Sequence, residues 1–192
     1  MNIRKAIRED SEAIAPLLML ASGDVFYKFI GEEHYEKAKD FLLRFVKRED
    51  NQYSFQNCYV AVEVGEIVAA ALVYDGAKLK ELRKPVLDHV HQHFDASFHV
   101  EDETQAGEFY IDSLGVAIAQ QGKGLGSRLL NFLIKENVQK NGQKLGLLVN
   151  ISNAGAKKLY TKLGFHCVGD KELLGFSLEH LQVKDYEPLG IE

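Results

Sequence analysis

The residues best suited to chemistry form a glycine-rich loop, Gln121 to Gly126, with the sequence QGKGLG. A strand-like run over 109–116 precedes the loop, and a helix-like run begins near Leu125. Glycine lets backbone N–H groups approach a ligand closely, and the first turn of a helix leaves four N–H groups without partners. These amides and the helix dipole favour negative charge. The loop therefore predicts a phosphate-binding site.

Two carboxylates, Glu108 and Asp112, belong to the strand that leads into this loop. Because side chains alternate along a strand, residues four apart are expected on the same face. A charged side chain in a central strand is costly to bury unless it has partners. Both residues are therefore candidates for proton transfer, and a structural hydrogen bond is an equally good interpretation. Glu108 lies near the start of the strand, so a solvated position is also open for it.

Two common phosphate motifs do not fit the loop. A Walker A sequence needs Lys followed by Ser or Thr after its last glycine, whereas Gly126 is followed by Ser127 and Arg128. A dinucleotide fingerprint needs a third glycine at the position of Ser127, and an acid about 20 residues further on. The region around Gly142 supplies no such acid.

Apolar periodicity and turn residues predict the elements that position the loop. Strands are expected over 2–7, 58–64, 67–74, 109–116, 145–149, 165–169 and 173–181. Helices are expected after Asp10-Ser11, over 32–48, over 79–94 with an interruption at Pro85, over 123–140 and over 153–163. A break is expected at 22–24 and a two-residue hairpin turn at Gly65-Glu66. The segment 75–106, with its acidic second half, is long for a connection between strands.

The loop pattern Gln121-x-x-Gly124-x-Gly126 resembles the acyl-CoA-binding motif of the GCN5-related N-acetyltransferase (GNAT) superfamily. The stretch Asn153 to Phe165, NAGAKKLYTKLGF, resembles a second signature of that family, NxxAxxLYxKxGF. The order of predicted elements agrees with the family over essentially the whole chain. The resemblance implies an α/β fold, a mixed central sheet of about seven strands with helices on both faces. It also implies a single domain over 1–192, with 75–106 as a helical and acidic insertion.

The implied activity is acetyl-CoA-dependent transfer of an acetyl group directly to a primary amine of a small molecule or peptide. In the family a tyrosine at the position of Tyr160 commonly gives a proton to the leaving thiolate, although its apolar helix stripe also fits a core aromatic. A primary amine holds its proton at neutral pH. The family often removes that proton with a strand carboxylate, sometimes through water, and Glu108 and Asp112 are the candidates.

The resemblance also implies a binding site for the CoA arm. The loop amides would hold the pyrophosphate, with Lys123 and Arg128 as possible nearby charges. The pantetheine would pair with the backbone near Leu114–Val116, where Gly115 would allow a close approach. Asn153 would contact the arm or cap its helix. The expected cofactor-binding residues are Leu114, Gly115, Val116, Gln121, Gly122, Lys123, Gly124, Leu125, Gly126, Ser127, Asn153, Ala156 and Tyr160.

Composition and charge limit the kinds of partner that the protein is expected to bind. The formal net charge of −5 argues against nucleic acid as a main partner. The two cysteines have no CxxC spacing, and the pair His89/His93 lacks an HExxH arrangement, so no metal is expected. The sequence shows no signal peptide and no membrane-length apolar run, which predicts a cytoplasmic protein without membrane partners. A homodimer is left open.

Two other functions share the glycine loop. One is a non-catalytic CoA-binding sensor or partner protein of the same fold, and the other is a binder of nucleotide phosphates such as ATP or NAD. Turnover of amines separates the enzyme from the sensor, and ligand identity separates both from the nucleotide binder.

We predict that acetyl-CoA and CoA each raise the melting temperature of the protein, because a ligand that binds only the folded state stabilises it. At a ligand concentration of about 100 times Kd the gain is about 2.7 kcal/mol. Thermal unfolding followed by circular dichroism with CoA, ATP or NAD provides the measurement. A shift with ATP or NAD and none with CoA would contradict the prediction.

Overall fold

The computed structural model describes residues 1–184. Within that range the chain forms one seven-stranded mixed sheet in the order β1-β2-β3-β4-β5-β7-β6. The pair β4/β5 is parallel, and the other neighbours are antiparallel. The predicted α/β class and seven-stranded sheet are confirmed.

The element bounds follow the predicted order. The strands are β1 Asn2–Lys5, β2 Cys58–Glu63, β3 Glu66–Asp75, β4 Phe109–Val116, β5 Leu145–Asn150, β6 His166–Leu173 and β7 Phe176–Val183. The α-helices are α1 Ser11–Ile30, α2 Tyr35–Val46, α3 Leu79–His93, α4 Leu125–Ile134 and α5 Ala154–Lys162. A π-helical turn, Lys135–Gln139, extends α4.

The sheet separates two apolar clusters. The cluster on one face, here the α1 face, joins β2 and β3 to α1, α2 and α3, and it contains Phe26, Phe45 and Val86. The cluster on the other face, the α4 face, packs Leu129 and Leu133 of α4 against alternate residues of β3, β4, β5 and β7. The strands therefore bury both faces, as expected when helices cover a sheet on both sides.

A β-bulge interrupts the pairing of β3 with β4. Leu72 lies opposite Ser113 and Val73 lies opposite Ile111, so Asp112 is an extra residue without a cross-strand partner. In a regular strand Asp112 and Ser113 would point to opposite faces. At the bulge both point toward the α1 face, where Ser113 Oγ lies 2.8 Å from Ser22 Oγ of α1.

Gly115 lets α1 pack directly against β4. A Cβ atom at this position would lie 1.8 Å from the carbonyl oxygen of Leu17, which is far inside van der Waals contact. The backbone that approaches Gly115 is therefore a helix of the same chain, and the predicted approach of the CoA arm stays a prediction.

Four local predictions need correction. The β2–β3 turn is Val64-Gly65, one residue earlier than predicted, with φ of 52° and 85°. Helix α1 is kinked at Ser22 (φ −140°) and continues to Ile30, because its second half packs Phe26 and Phe29 into the core. Helix α3 continues through Pro85, since the carbonyl freed by the missing N–H belongs to exposed Glu81. The fourth correction concerns strand β6, which continues past its predicted end at residue 169 to Leu173.

The segment Arg8–Ile30 has the length and mean hydropathy, 1.4, of a helix that could cross a membrane. No apolar run of that length was predicted from the sequence. In this fold Ile14, Leu18 and Phe26 of the segment are fully buried in the α1-face cluster, and core helices pass the same composition test.

We predict that Gly115→Ala destabilises the protein by about 3 kcal/mol or more, because the added methyl group must displace α1 or β4. The matched control is Gly23→Ala in the same helix as Leu17. There a Cβ atom would lie 3.7 Å from Met19 Cε, an ordinary contact, so little or no destabilisation is expected. Chemical denaturation of both variants gives the comparison, and equal stability of the two would contradict it.

Candidate active site

The glycine loop leads into α4 through two left-handed residues. Gly122 has φ +76° and Gly124 has φ +78°, a conformation that other residues adopt only with strain. No described residue places a heavy atom within 4 Å of a Cβ atom built at either glycine, so the loop borders open space. The Arg128 amide bonds the Gly124 carbonyl as the first helical hydrogen bond. The amides of 125–127 thus precede the helical ladder and can receive an anion.

Two cations, Lys123 and Arg128, lie near this loop, and each is close to one polar side chain. Lys123 Nζ donates to Gln120 Oε1 at 3.0 Å, and Arg128 lies 3.9 Å from Glu63 Oε1. Gln121 Nε2 donates to the Val116 carbonyl at 3.1 Å, which joins the loop to the end of β4. The loop is therefore held by its own side chains while its cations stay at the surface.

Strands β4 and β5 separate beside the loop. Their pairing in the described chain is confined to Phe109/Leu145, Tyr110/Gly146 and Ile111/Leu147. Beyond this point β4 continues to Val116 along β3, and β5 continues to Asn150 along β7. One backbone edge of 112–116 is thus left beside a gap that opens toward the start of α4.

Helix α5 borders the gap from the α4 face. Asn153 Oδ1 accepts a hydrogen bond from the Ala156 amide at 3.0 Å, so this asparagine caps the helix as its residue type predicts. Tyr160 is half-buried, and its ring packs edge-on against Phe165 at 5.8 Å between centroids. Burial raises the pKa of the Tyr160 hydroxyl, which keeps this phenol protonated at neutral pH.

Asp112 is bound on the α1 face by three side chains. Its Oδ2 accepts from Gln52 Nε2 and from the Tyr74 hydroxyl, each at 2.9 Å, and its Oδ1 accepts from Ser113 Oγ at 2.9 Å. Burial raises the pKa of the Asp112 carboxyl, and these hydrogen bonds together with the charge of Arg83 oppose that rise only in part. Asp112 is therefore a stronger base than an ordinary aspartate.

A cavity of about 50 Å³ lies beside Asp112. Phe26, Phe29 and Val25 of α1 form an apolar wall, and the β6–β7 turn contributes Leu173 and Leu174. This volume accommodates one or two small groups, since a water molecule occupies about 30 Å³ in the liquid. An ammonium group with its first carbon fits such a space.

The insertion before β4 forms the remaining wall of the cavity through Val100 and Glu103. Lys171 Nζ donates to the carbonyls of Asp102 and Glu103 at 3.1 Å, and the Leu174 amide donates to Glu101 Oε2 at 2.9 Å. The segment 100–104 is therefore fastened to the β6–β7 hairpin.

Glu108 belongs to a different polar cluster. It is 3% exposed, and it accepts hydrogen bonds from Thr104 Oγ1 at 2.6 Å and Gln182 Nε2 at 2.6 Å, and lies 2.9 Å from His180 Nε2. Burial disfavours its charge, but the bonds from His180, Thr104 and Gln182 outweigh burial and lower the pKa of Glu108. The solvated position considered for Glu108 is wrong, and the structural hydrogen-bond interpretation describes its contacts.

The structure sorts the predicted chemical residues into three places. Asp112 lines the cavity on the α1 face, Tyr160 belongs to the α4 face, and Glu108 is enclosed by β5, β7 and Thr104. The gap between β4 and β5 lies between the first two. Asp112 and Tyr160 can thus approach one substrate from opposite faces, whereas the oxygens of Glu108 are occupied.

Sequence reasoning missed four side chains around Asp112, namely Gln52, Tyr74, Arg83 and Glu103. Only Glu103 had a signal, since it belongs to the acidic half of the insertion. The other three come from a loop, from β3 and from α3, and no spacing relates them. Among residues 1–184, no group of three or more His, Cys, Asp or Glu side chains is arranged to hold a metal ion.

Two strands separate beside a glycine loop and the start of a helix, and a second helix lies along the gap. This arrangement defines the acyl-CoA-dependent acyltransferase fold. The chain belongs to the acetyltransferase (GNAT) family, whose model matches residues 24–165. The predicted family is confirmed.

Known proteins similar to this chain agree with that assignment. Mycothiol acetyltransferase of Corynebacterium aurimucosum is 38% identical over 79 residues, which are 38% of this chain and 25% of that enzyme, so the match spans about a quarter of the relative. The N-acetyltransferase from Staphylococcus aureus Mu50 superposes with TM-score 0.80 at 22% identity, over 95% of this chain and 100% of that one. Another acetyltransferase crystal structure gives TM-score 0.78 at 29% identity, over 96% and 99%.

The carboxylates of Asp112 and Glu108 predict opposite effects of neutralisation on stability. The folded-state pKa of Asp112 lies above the unfolded value of about 3.9. The free energy of unfolding therefore falls as pH rises from the unfolded pKa to the folded pKa. Asp112→Asn removes this cost, and we expect a higher melting temperature at neutral pH and no gain in strong acid.

For Glu108 the folded-state pKa lies below the unfolded value of about 4.3. The stabilisation that the Glu108 carboxylate gives the folded state is therefore present above about pH 4.3, and it is lost as pH falls through the folded pKa. Glu108→Gln should lower stability at neutral pH by about 1–3 kcal/mol, because an amide cannot accept from all three donors. Thermal unfolding across pH tests the pair, and changes of the same sign in both variants would show that the assignment is wrong.

Proposed function

We propose that the protein transfers an acetyl group from acetyl-CoA to a primary amine of a small molecule or peptide. The observation that carries this proposal is the gap between β4 and β5, bordered by the glycine loop at one end and by the Asp112 cavity on the α1 face. The family assignment supports the same reaction.

The residues around the gap fit acetyl-CoA. The amides of 125–127 suit the pyrophosphate, and the open space at Gly122 and Gly124 gives it room. The unpaired edge at Leu114–Val116 presents backbone groups to the amides of the pantetheine. The proposed binding residues are those of the sequence analysis, with Asn153 and Ala156 at the start of α5 and Tyr160 beside the thioester. No metal is part of this proposal.

Acetyl-CoA supplies an activated acyl group, so that a C–N bond forms as the C–S bond breaks. The acceptor enters as an ammonium ion and gives one proton to the Asp112 carboxylate, directly or through a water in the cavity. The nitrogen loses its second proton to solvent as the C–N bond forms, and Asp112 later releases its own proton to solvent. The Tyr160 hydroxyl gives one proton to the departing sulfur, and later recovers it from solvent. Phe26, Phe29 and Val25 exclude bulk water from the amine. No covalent bond to the protein forms in this scheme.

We propose that the insertion 75–106 limits the acceptor. Glu103 and Val100 form one wall of the cavity, and the rest of the pocket is apolar apart from the cluster around Asp112. This arrangement suits a primary amine on a narrow carbon chain. A cytoplasmic location and a homodimer stay predictions of the sequence.

A panel of amines tests the proposal. A polyamine, an amino acid, a lysine peptide and a peptide with a free N-terminus are each incubated with the protein and acetyl-CoA, and released thiol is measured. We expect amine-dependent thiol release. Release at the same rate with and without amine, across all four classes, would contradict the proposed reaction.

Tyr160→Phe tests the general acid. Because only the hydroxyl is removed, we expect kcat to fall by about 10²-fold while CoA binding is retained. Tyr59→Phe is the matched control, since Tyr59 also packs edge-on against a phenylalanine on the α4 face, at 5.5 Å from Phe132. Equal kcat values for the two variants would exclude Tyr160 as the proton donor.

A further inference from the structure

Two carboxylates, Glu103 of the insertion and Asp112 at the bulge, share hydrogen-bond donors that come from distant parts of the chain. Gln52 Nε2 lies 2.6 Å from Glu103 Oε1 and 2.9 Å from Asp112 Oδ2. The Tyr74 hydroxyl lies 2.9 Å from each of the same two oxygens. Glu103 and Gln52 are both at most 5% exposed, so this group is enclosed by protein.

Counting hydrogens shows that the group has room for one more proton. The two hydrogens of Gln52 Nε2 face three acceptors, the two carboxylates and the Tyr74 oxygen at 3.1 Å. The single hydroxyl hydrogen of Tyr74 serves only one of its two close carboxylate oxygens. The other contact becomes a hydrogen bond when a carboxyl group carries a proton and donates it to the Tyr74 oxygen.

When the group takes up this proton, Asp112 is the carboxylate that receives it. Glu103 forms a buried ion pair with Arg83, whose side chain is 5% exposed, and that contact holds Glu103 in its charged form. Arg83 also donates to the Glu101 carbonyl at 3.0 Å, which keeps the guanidinium in place. The hydrogen bonds that Asp112 receives within the described chain come from the neutral donors Gln52, Tyr74 and Ser113.

The neighbours that act on the charge of Asp112 come from every element around it. They are Tyr74 of β3, Tyr110 of β4, Tyr53 and Gln52 of the segment after α2, Arg83 of α3, Glu103 of the insertion and Ser113 at the bulge. Arg83 favours the charged form of Asp112. A second anion beside Asp112 has the opposite effect, and Glu103 lies beside it, since the two carboxylates share the donors Gln52 and Tyr74.

We propose that Glu103 is a positioning residue of this reaction, whose fixed negative charge increases the affinity of Asp112 for the proton that it takes from the acceptor amine. The proton moves from the amine nitrogen to the Asp112 carboxylate and leaves to solvent after the product dissociates. Glu103 keeps its charge throughout. This role rests on the proposed function, in which Asp112 is the base.

Carbon NMR tests the proposal without an acceptor. The protein is labelled with ¹³C at the aspartate side-chain carboxyl carbons, and the Asp112 resonance is identified as the one that Asp112→Asn lacks. Its titration midpoint is then measured in the wild type and in variants. In Glu103→Gln we expect the midpoint to fall by roughly one pH unit or more, because an anion is lost and Arg83 stays.

Three further variants complete the design. Glu103→Asp keeps the charge and should keep the midpoint near that of the wild type. Glu101→Gln neutralises a neighbouring carboxylate that bonds the Leu174 amide and does not touch Asp112, so no shift is expected. Tyr74→Phe removes a donor to the Asp112 anion, so its midpoint should rise.

The role of Glu103 and the role of Asp112 as the base are tested by different measurements, so the failure of one can be told from the failure of the other. A midpoint unchanged in Glu103→Gln would overturn the role of Glu103, and the Tyr74→Phe result decides the case if Glu103→Gln does not fold: a rise supports the shared-donor pair and no change overturns it. The base itself is tested by amine-dependent thiol release in Asp112→Asn. Full activity there would refute the base, whatever the titration shows.

Discussion

The limited pairing of β4 with β5 is the constraint on which the rest of the structure depends. A parallel ladder that ends after Ile111 leaves backbone donors and acceptors along one edge of β4, and such groups need partners. The strand stays in place because its other edge pairs with β3, apart from the bulge at Asp112, and because Gly115 lets α1 contact it directly. The opening is thus maintained by contacts of β4 with β3 and α1, and its free edge is available to an extended ligand.

The bulge at Asp112 connects this architecture to the electrostatics. One additional residue turns both Asp112 and Ser113 to the α1 face, where the insertion and α3 bring an anion and a cation. Glu108, at the start of the same strand, receives three donors and becomes a weaker base than usual, while Asp112 becomes a stronger one. The opposite pKa shifts of the two carboxylates follow from their neighbours, since Glu108 and Asp112 are only four residues apart in the chain.

The sequence predicted the fold well because its signals are local. The glycine loop, the apolar strands and the Asn153 cap each depend on residues that are close in the chain, and the second signature around Tyr160 agreed with the first. The surroundings of Asp112 could not be predicted, because Gln52, Tyr74, Arg83 and Glu103 meet only after the sheet has formed. The bulge had no sequence signal either. Alternation of side chains along the strand therefore predicted the face of Asp112, but it predicted neither the face of Ser113 nor the opposite pKa shifts of Asp112 and Glu108.

The position of β7 between β5 and β6 has a consequence for how the chain matures on the ribosome. Strand β5 obtains its second neighbour only when residues 176–183 are available, although β5 itself is complete at Asn150. Until then its outer edge is exposed, and so is the site at which Lys171 and Leu174 will fasten the insertion. Such non-local pairing is slow, and an unpaired apolar strand such as Leu145–Asn150 is open to association with other chains. The cavity beside Asp112 can therefore close only after residues 171–174, which line it and fasten the insertion, have been synthesised.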